Sequence, residues 1–262
     1  VNKNVSYSYN NDSFKEPVIQ IDKTGSNAAK GALVLIIEDN DDFRFYLKDN
    51  LGAHFNILEA RNGSEGWQKA LANMPDLIVS DLMMPEMDGL ELCEKVKTDP
   101  RTSHIPLVLL TANAADEQKL KGLKIGIEDY ITKPFNFEIL LTRLQNLIEQ
   151  RQSLQKVLEK KISVQTSEVE IISMDDKLIQ KAIKVVEENL SNADFSVEDL
   201  SKEVGMSRVY LYKKLMALTG RSPVEFIRHI RLQRAAQFLE KSQLSVAEVA
   251  YKVGFNNRKY FT

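Results

Sequence analysis

Cysteine is nearly missing from this chain: Cys93 stands alone among 262 residues. A lone thiol excludes an internal disulfide and fits a reducing compartment, so a cytoplasmic location is expected. Histidine is scarce as well. His54, His104 and His229 lie far apart, with no cysteine or histidine at ligand spacing, which argues against a zinc site. No apolar run approaches the roughly 18–20 residues that span a bilayer, and no secretory segment opens the chain, so no membrane contact is expected of it. What is present is the composition of a soluble globular protein, 43% hydrophobic and 27% charged, with room for two domains of ordinary size.

The net charge of −2 hides an asymmetry. Residues 31–150 carry 12 Lys/Arg against 20 Asp/Glu, whereas residues 175–262 carry 15 against 11. An acidic half joined to a basic half suggests two tasks, the basic one directed at nucleic acid. Residues 1–31, rich in Asn, Ser and Lys without sustained periodicity, read as a flexible linker.

From Leu33 onward strand-like and helix-like segments alternate. Apolar runs end at Glu38-Asp39, Asp81, Thr111 and Lys133-Pro134, and Asn56–Ala60 adds a fifth strand. Such continuous runs suit strands buried on both faces of a parallel sheet. Candidate helices are Asp42–Leu51, Ser64–Asn73, Gly89–Thr98, Ala115–Leu123 and Phe137 onward. The alternation predicts an α/β doubly wound, five-stranded parallel sheet over residues 32–150. The last helix has no obvious stop. Leu140, Leu144, Leu147, Leu154 and Leu158 form a heptad stripe with Arg151 at the missing position. That stripe reads either as a helix packed on its own domain or as a signalling helix that pairs two chains, and the pairing is the expectation. Residues 151–174 then form a connecting helix and linker.

In an open parallel sheet, functional groups gather at the carboxyl ends of the strands. Glu38, Asp39 and Asp81 would offer hard carboxylate oxygens to Mg²⁺, and crowded carboxylates repel one another unless a cation neutralises them. Asp81 ends the central strand and can accept a phosphoryl group covalently. Lys133 supplies a compact positive charge to the transferring oxygens, and Thr111 a hydroxyl. Each residue alone is explained equally well as a turn or cap; the set, in this order, is not.

Residues 33–150 resemble a response-regulator receiver domain. The resemblance is carried by Glu38-Asp39, by Asp81-Leu82-Met83-Met84-Pro85 with Gly89, by Thr111-Ala112 and by Lys133-Pro134-Phe135. It implies Mg²⁺-dependent phosphorylation of Asp81 by a partner histidine kinase, with the Met83 backbone carbonyl as a further metal ligand. It also implies that Tyr130 moves inward with the Thr111 hydroxyl as a switch pair, and that the Lys133-Pro134 bond is cis. Met83 and Asn113 stand where the family tunes phosphoryl lifetime. Because Met83 cannot hydrogen-bond an attacking water well, slow self-hydrolysis is expected.

The basic half contains an internal repeat. Ser196-Val197-Glu198-Asp199-Leu200, continuing to Val204-Gly205-Met206-Ser207, recurs 49 residues later as Ser245-Val246-Ala247-Glu248-Val249 and Val253-Gly254-Phe255-Asn256. Each copy has an N-cap Ser, a short amphipathic helix, a Gly that stops it and a polar cap for the next helix, which is the helix-turn-helix pattern. Between the copies Pro223 to Lys241 reads as one helix of roughly 28 Å, against about 34 Å for a DNA turn. This arrangement, with Gly254-Phe255 and Tyr260-Phe261, resembles an all-α AraC-type DNA-binding domain over residues 175–262. Carried over, its base-facing positions fall on Val209, Tyr212 and Lys213 and on Arg258 and Lys259, with Arg208 and Lys214 meeting phosphates. Thr262 falls inside the second recognition helix, so the domain is expected to be C-terminally incomplete and its second unit frayed.

The whole reads as a phosphorylation-controlled transcription regulator, not an enzyme, that dimerises on activation. It resembles the C-terminal part of hybrid sensors that carry a histidine kinase in the same polypeptide. Two alternatives have discriminating features: a receiver that only relays or binds proteins would not need the repeat, and an aspartate-based phosphatase wants a second Asp where Met83 stands.

Overall fold

A computed structural model of the chain describes residues 31–112, 126–164 and 173–255. The helix expected at Ala115–Leu123, the lifetime position Asn113, the side chain of Leu158 and the residues Arg258 and Lys259 lie outside the described residues and side chains.

Five strands, β1 (Leu33–Ile37), β2 (Asn56–Ala60), β3 (Leu77–Asp81), β4 (Leu107–Thr111) and β5 (Asp129–Thr132), pair in parallel in the order β2-β1-β3-β4-β5. Among the described residues three helices lie between them, α1 (Asp41–Leu51), α2 (Gly63–Asn73) and α3 (Gly89–Thr98), and α4 (Phe137–Val164) follows β5. Asn40, Asn62 and Asp88 each cap a helix by accepting a backbone N–H with the side chain, Asp88 in a reciprocal box with Glu91.

Strand side chains alternate between the faces, and the apolar runs feed two cores. Val34, Ile36, Val79, Val108 and Leu110 meet Leu47 and Leu51 of α1 and Leu140, Leu144 and Ile148 of α4. Leu35, Ile37, Ile78, Leu107 and Leu109 meet Ala70 of α2 and Leu92, Cys93 and Val96 of α3.

The long helix continues to Val164 as expected, but its stripe differs from the heptad reading. Its buried positions are Leu140, Leu144 and Ile148, while Leu154 is 64% exposed. A straight helix drifts against a seven-residue repeat, so the heptad stripe turns away from the sheet. Arg151 instead folds back and donates to the Asp76 carbonyl at 2.7 Å.

Residues 173–255 form five helices: α5 (Met174–Glu188), α6 (Val197–Val204), α7 (Arg208–Thr219), α8 (Pro223–Lys241) and α9 (Val246–Lys252). Leu178, Ile179 and Val186 of α5 pack with Leu200, Leu211, Leu215, Phe226 and Ile230 of the next three helices. A smaller cluster joins Ala235 of α8 to Val249 and Val253. Ser196, Ser222 and Ser245 each build a reciprocal capping box, with Asp199, Glu225 and Glu248. Gly205 ends α6 at φ 79° and Gly254 repeats that angle after α9, a left-handed conformation that favours glycine. Among the described residues no helix is long and apolar enough to cross a membrane.

Candidate functional site

Register brings the expected pocket residues together. Ile37 pairs with Ser80, so the next residues, Glu38 and Asp81, emerge side by side at the carboxyl edge of the sheet. Thr111 pairs with Thr132, and the Lys133 N–H donates to the Thr111 carbonyl at 2.7 Å. Lys133 Nζ then reaches Glu38 Oε2 at 2.9 Å and Asp81 Oδ1 at 2.7 Å. Glu38, Asp81 and Thr111 are buried, whereas Asp39 opens to solvent.

Carboxylate oxygens of Glu38, Asp39 and Asp81 lie within 4.8 Å of one another. At an effective dielectric near 20, two unit charges at that distance repel by about 3 kcal/mol, and one ammonium does not offset three carboxylates. Burial pushes the Glu38 carboxyl up, against the pull of its Lys133 hydrogen bond and with the help of the Asp81 charge. A hard divalent cation fits this donor set.

Two supporting residues escaped the sequence reading. The Phe43 ring lies under Lys133 Nζ, 4.3 Å from its centroid, and Arg44 donates to the Glu38 carbonyl at 2.8 Å. Both sit in the first turns of α1, directly after the acidic pair, and that proximity was the available signal. Gly89 has a steric role: a Cβ there would stand 2.5 Å from the Asp81 carbonyl oxygen and 2.8 Å from Leu109 Cδ2.

The structure places the remaining expected residues as follows. Met83 turns its side chain to solvent. The Lys133-Pro134 peptide is cis. Tyr130 is half-buried against the α3 side of the sheet, where burial and the neighbouring Cys93 push its hydroxyl up to about 12. Burial chiefly, with the Glu128 and Glu94 charges and against the pull of Lys97, raises the Cys93 thiol, also to about 12. In the basic half, Val209 and Tyr212 of α7 are exposed at 63% and 50%, and Arg208 beside them is exposed. Lys213 is half-buried and donates to the Ala72 carbonyl at the end of α2. Lys214, expected to meet phosphates, is buried and pairs with Asp175 at 2.7 Å. Its position is therefore corrected from solvent to a contact between the two halves of the chain.

A family model described as the response regulator receiver domain matches residues 34–145, and one described as a helix-turn-helix domain matches residues 200–262. Histidine kinase P4 of Formosa agariphila is 44% identical over 229 residues, covering 87% of this chain but 17% of that protein. The DNA-binding dual master transcriptional regulator RpaA of Synechocystis is 37% identical over 116 residues, 44% of this chain and 48% of the relative. The chain thus spans half or less of the length of both relatives. Chemotaxis protein CheY4 of Vibrio cholerae, a solved structure, is 32% identical with a TM-score of 0.43, covering 44% of this chain and 98% of its own. With the acidic pocket at one edge of its parallel sheet and, beyond it, a capped helix–glycine–helix unit whose serine box and left-handed glycine recur at α9, the chain joins a response regulator receiver domain to a helix-turn-helix domain.

Proposed function

We propose that Asp81 accepts a phosphoryl group from a histidine kinase and that this event controls DNA binding by the helix-turn-helix region. The observation that carries the reading is Lys133 Nζ bridging Asp81 and Glu38 beside Asp39, on the same chain as the capped helix repeat. An Asp81 carboxylate oxygen attacks the phosphorus of a phosphohistidine. The O–P bond forms as the P–N bond breaks, and its electron pair returns to the imidazole nitrogen, which takes up a proton. Lys133 holds the nucleophile in place and balances charge on the transferred oxygens. Mg²⁺, held by Glu38, Asp39, Asp81 and the Met83 carbonyl, would supply Lewis-acid neutralisation of the phosphoryl oxygens. Thr111 and Tyr130 then act as the switch pair. The kinase partner fits a separate protein or the same polypeptide, and the similarity to histidine kinase P4 supports the second.

Arg208, Val209 and Tyr212, exposed on α7, would meet DNA, joined by Lys213, Arg258 and Lys259. Pairing of two chains is the proposed route from phosphorylation to repeated DNA sites, and the exposure of Leu154 on α4 supports it. The test combines two measurements on the wild type and Asp81→Asn. Intact mass after acetyl phosphate and Mg²⁺ should show one phosphoryl adduct, lost in the variant. Light scattering with beryllofluoride should show a doubled mass in the wild type alone. An adduct that survives Asp81→Asn refutes the phosphoacceptor assignment, and an unchanged mass refutes pairing.

A further inference from the structure

Lys133 is held from three sides. Two are the carboxylates of Glu38 and Asp81, at 2.9 and 2.7 Å from Nζ. The third is the face of Phe43, whose centroid lies 4.3 Å from Nζ, inside the roughly 6 Å over which a ring attracts a cation. The ring is itself fixed. The Asn40 side chain that caps α1 accepts the Phe43 N–H at 2.8 Å. Tyr46 stacks on the ring at 5.9 Å with 17° between the planes, and Phe135 meets it in a T-shaped contact at 6.1 Å. Lys133 and Phe135 stand two residues apart just after β5, so the cation and one support of the ring arrive on the same segment. Arg44, next along α1, is buried and ties this turn to the Glu38 carbonyl.

We propose that Phe43 is a positioning residue for phosphoryl transfer: its ring face holds the Lys133 ammonium by charge alone, so that an N–H can pass from Asp81 to the incoming phosphoryl group. The inference rests on the reading of Asp81 as the phosphoacceptor. An ammonium is a point charge with three donors on a flexible stem, and carboxylates and water compete to orient it. When an Asp81 oxygen bonds phosphorus, the carboxylate charge that holds Nζ passes to the phosphoryl group. With acetyl phosphate as donor, the P–O bond breaks at that moment and acetate leaves with the electron pair. Lys133 must then shift a hydrogen bond from Asp81 to a phosphoryl oxygen without leaving the pocket. An acceptor atom at residue 43 would claim one N–H and oppose the shift. A ring attracts the charge through its quadrupole, with no directional bond to break, and its apolar face keeps water from that flank of Nζ. A cation held ready in this way needs no reorganisation during the reaction, where electrostatic stabilisation gains most.

The test uses the full chain with mono-, di- and trifluorinated phenylalanine in place of Phe43, which drains negative charge from the ring face while keeping its shape. The rate of adduct formation from acetyl phosphate at saturating Mg²⁺, read by intact mass, should fall with each added fluorine. The trifluorinated chain and Phe43→Leu should both be slower by roughly threefold to thirtyfold, and the urea midpoint should hold constant across the fluorinated chains. A second readout needs no phosphorylation: the Lys133 ε-methylene protons should resonate upfield in the wild type through the ring current, and return to their ordinary position in Phe43→Leu. Rates that stay flat across the fluorinated chains, rates that fall only in step with the urea midpoint, or ordinary ε-methylene shifts in the wild type each overturn the positioning role. That holds even where Phe43→Leu slows the reaction, because Phe43 also packs on the core between the sheet, α1 and α4. A wild type that takes no phosphoryl group overturns the phosphoacceptor reading, and this inference with it.

Discussion

Asp175→Asn is the sharpest probe of the Lys214 centre. The variant keeps the shape and a carbonyl for the Ser103 hydroxyl, and removes only the charge opposite a lysine whose side chain is fully enclosed. Burial pulls the Lys214 ammonium below its ordinary range, opposed by Asp175. Without Asp175 the lysine has two ways to respond. It can give up its proton, which at pH 7 costs about 4.6 kcal/mol for an ordinary lysine pKa near 10.4, or it can undock into water. Breaking a buried pair by removing one partner costs roughly 3–5 kcal/mol. Ser103 Oγ and His104 Nδ1 remain as acceptors, so the expected loss is about 2–4 kcal/mol. Urea unfolding followed by Trp67 fluorescence, which reports the receiver, and by circular dichroism, which reports every helix, measures it. Asp176→Asn, in the same first turn but paired with Ser173 at 2.8 Å, controls for the helix-end effect and should cost about 0.5 kcal/mol. Lys214→Met with Asp175→Asn should cost less than Asp175→Asn alone, because no buried charge is left unpaired. A single-variant loss under about 0.5 kcal/mol, or a double variant worse than either single, refutes the assignment of a buried, charge-dependent contact.

Two further outcomes follow from other sites. Gly89→Ala sets a methyl against the Asp81 carbonyl and the Leu82 Cα, backbone atoms that cannot rotate away; overpacking of this kind costs about 1–3 kcal/mol and should slow phosphorylation, and an unchanged urea midpoint and rate would contradict the geometry. His104 is held neutral by burial and by the Lys214, Arg151 and Lys97 charges, with Asp175 the nearby carboxylate. Its folded pKa is lowered, so the undocked chain binds the extra proton. Docking is therefore fully present above about pH 6.5 and weakens as pH falls below it, by at most about 1.4 kcal/mol per pH unit. Lys214 acylation, corrected for the reagent's own pH dependence, should rise between pH 7 and 5.5 in the wild type but not in His104→Gln.

Much of the fold was legible because the relevant signals are local. β1, β3 and β4 are apolar runs that lead into a polar residue, and each described helix in the basic half opens on a serine, three of them with a box partner three residues on. The pocket was legible for the same reason: strand ends in a parallel sheet are neighbours by construction, so Glu38, Asp81 and Lys133 could be placed without coordinates. The Lys214 contact with Asp175, Ser103 and His104 could not. Lys214 lies 111 residues from Ser103 and 110 from His104, and no periodicity marks residues that meet only through packing. A lysine on a basic helix reads as a phosphate contact unless the neighbour that buries it is known. The α4 stripe is only partly explained by the receiver: Leu144 is buried against the sheet while Leu154, further along the same helix, is exposed.

All five strands run the same way, so every strand start lies at one pole of the receiver and every strand end at the other. Asp81 and Thr111 close β3 and β4 at the second pole, while Asp76 and the Ser103–His104 turn precede the same two strands at the first. The acidic pocket and the Lys214 contact therefore occupy opposite poles of the sheet, and a partner seated over Asp81 would leave the surface that meets Lys214 uncovered.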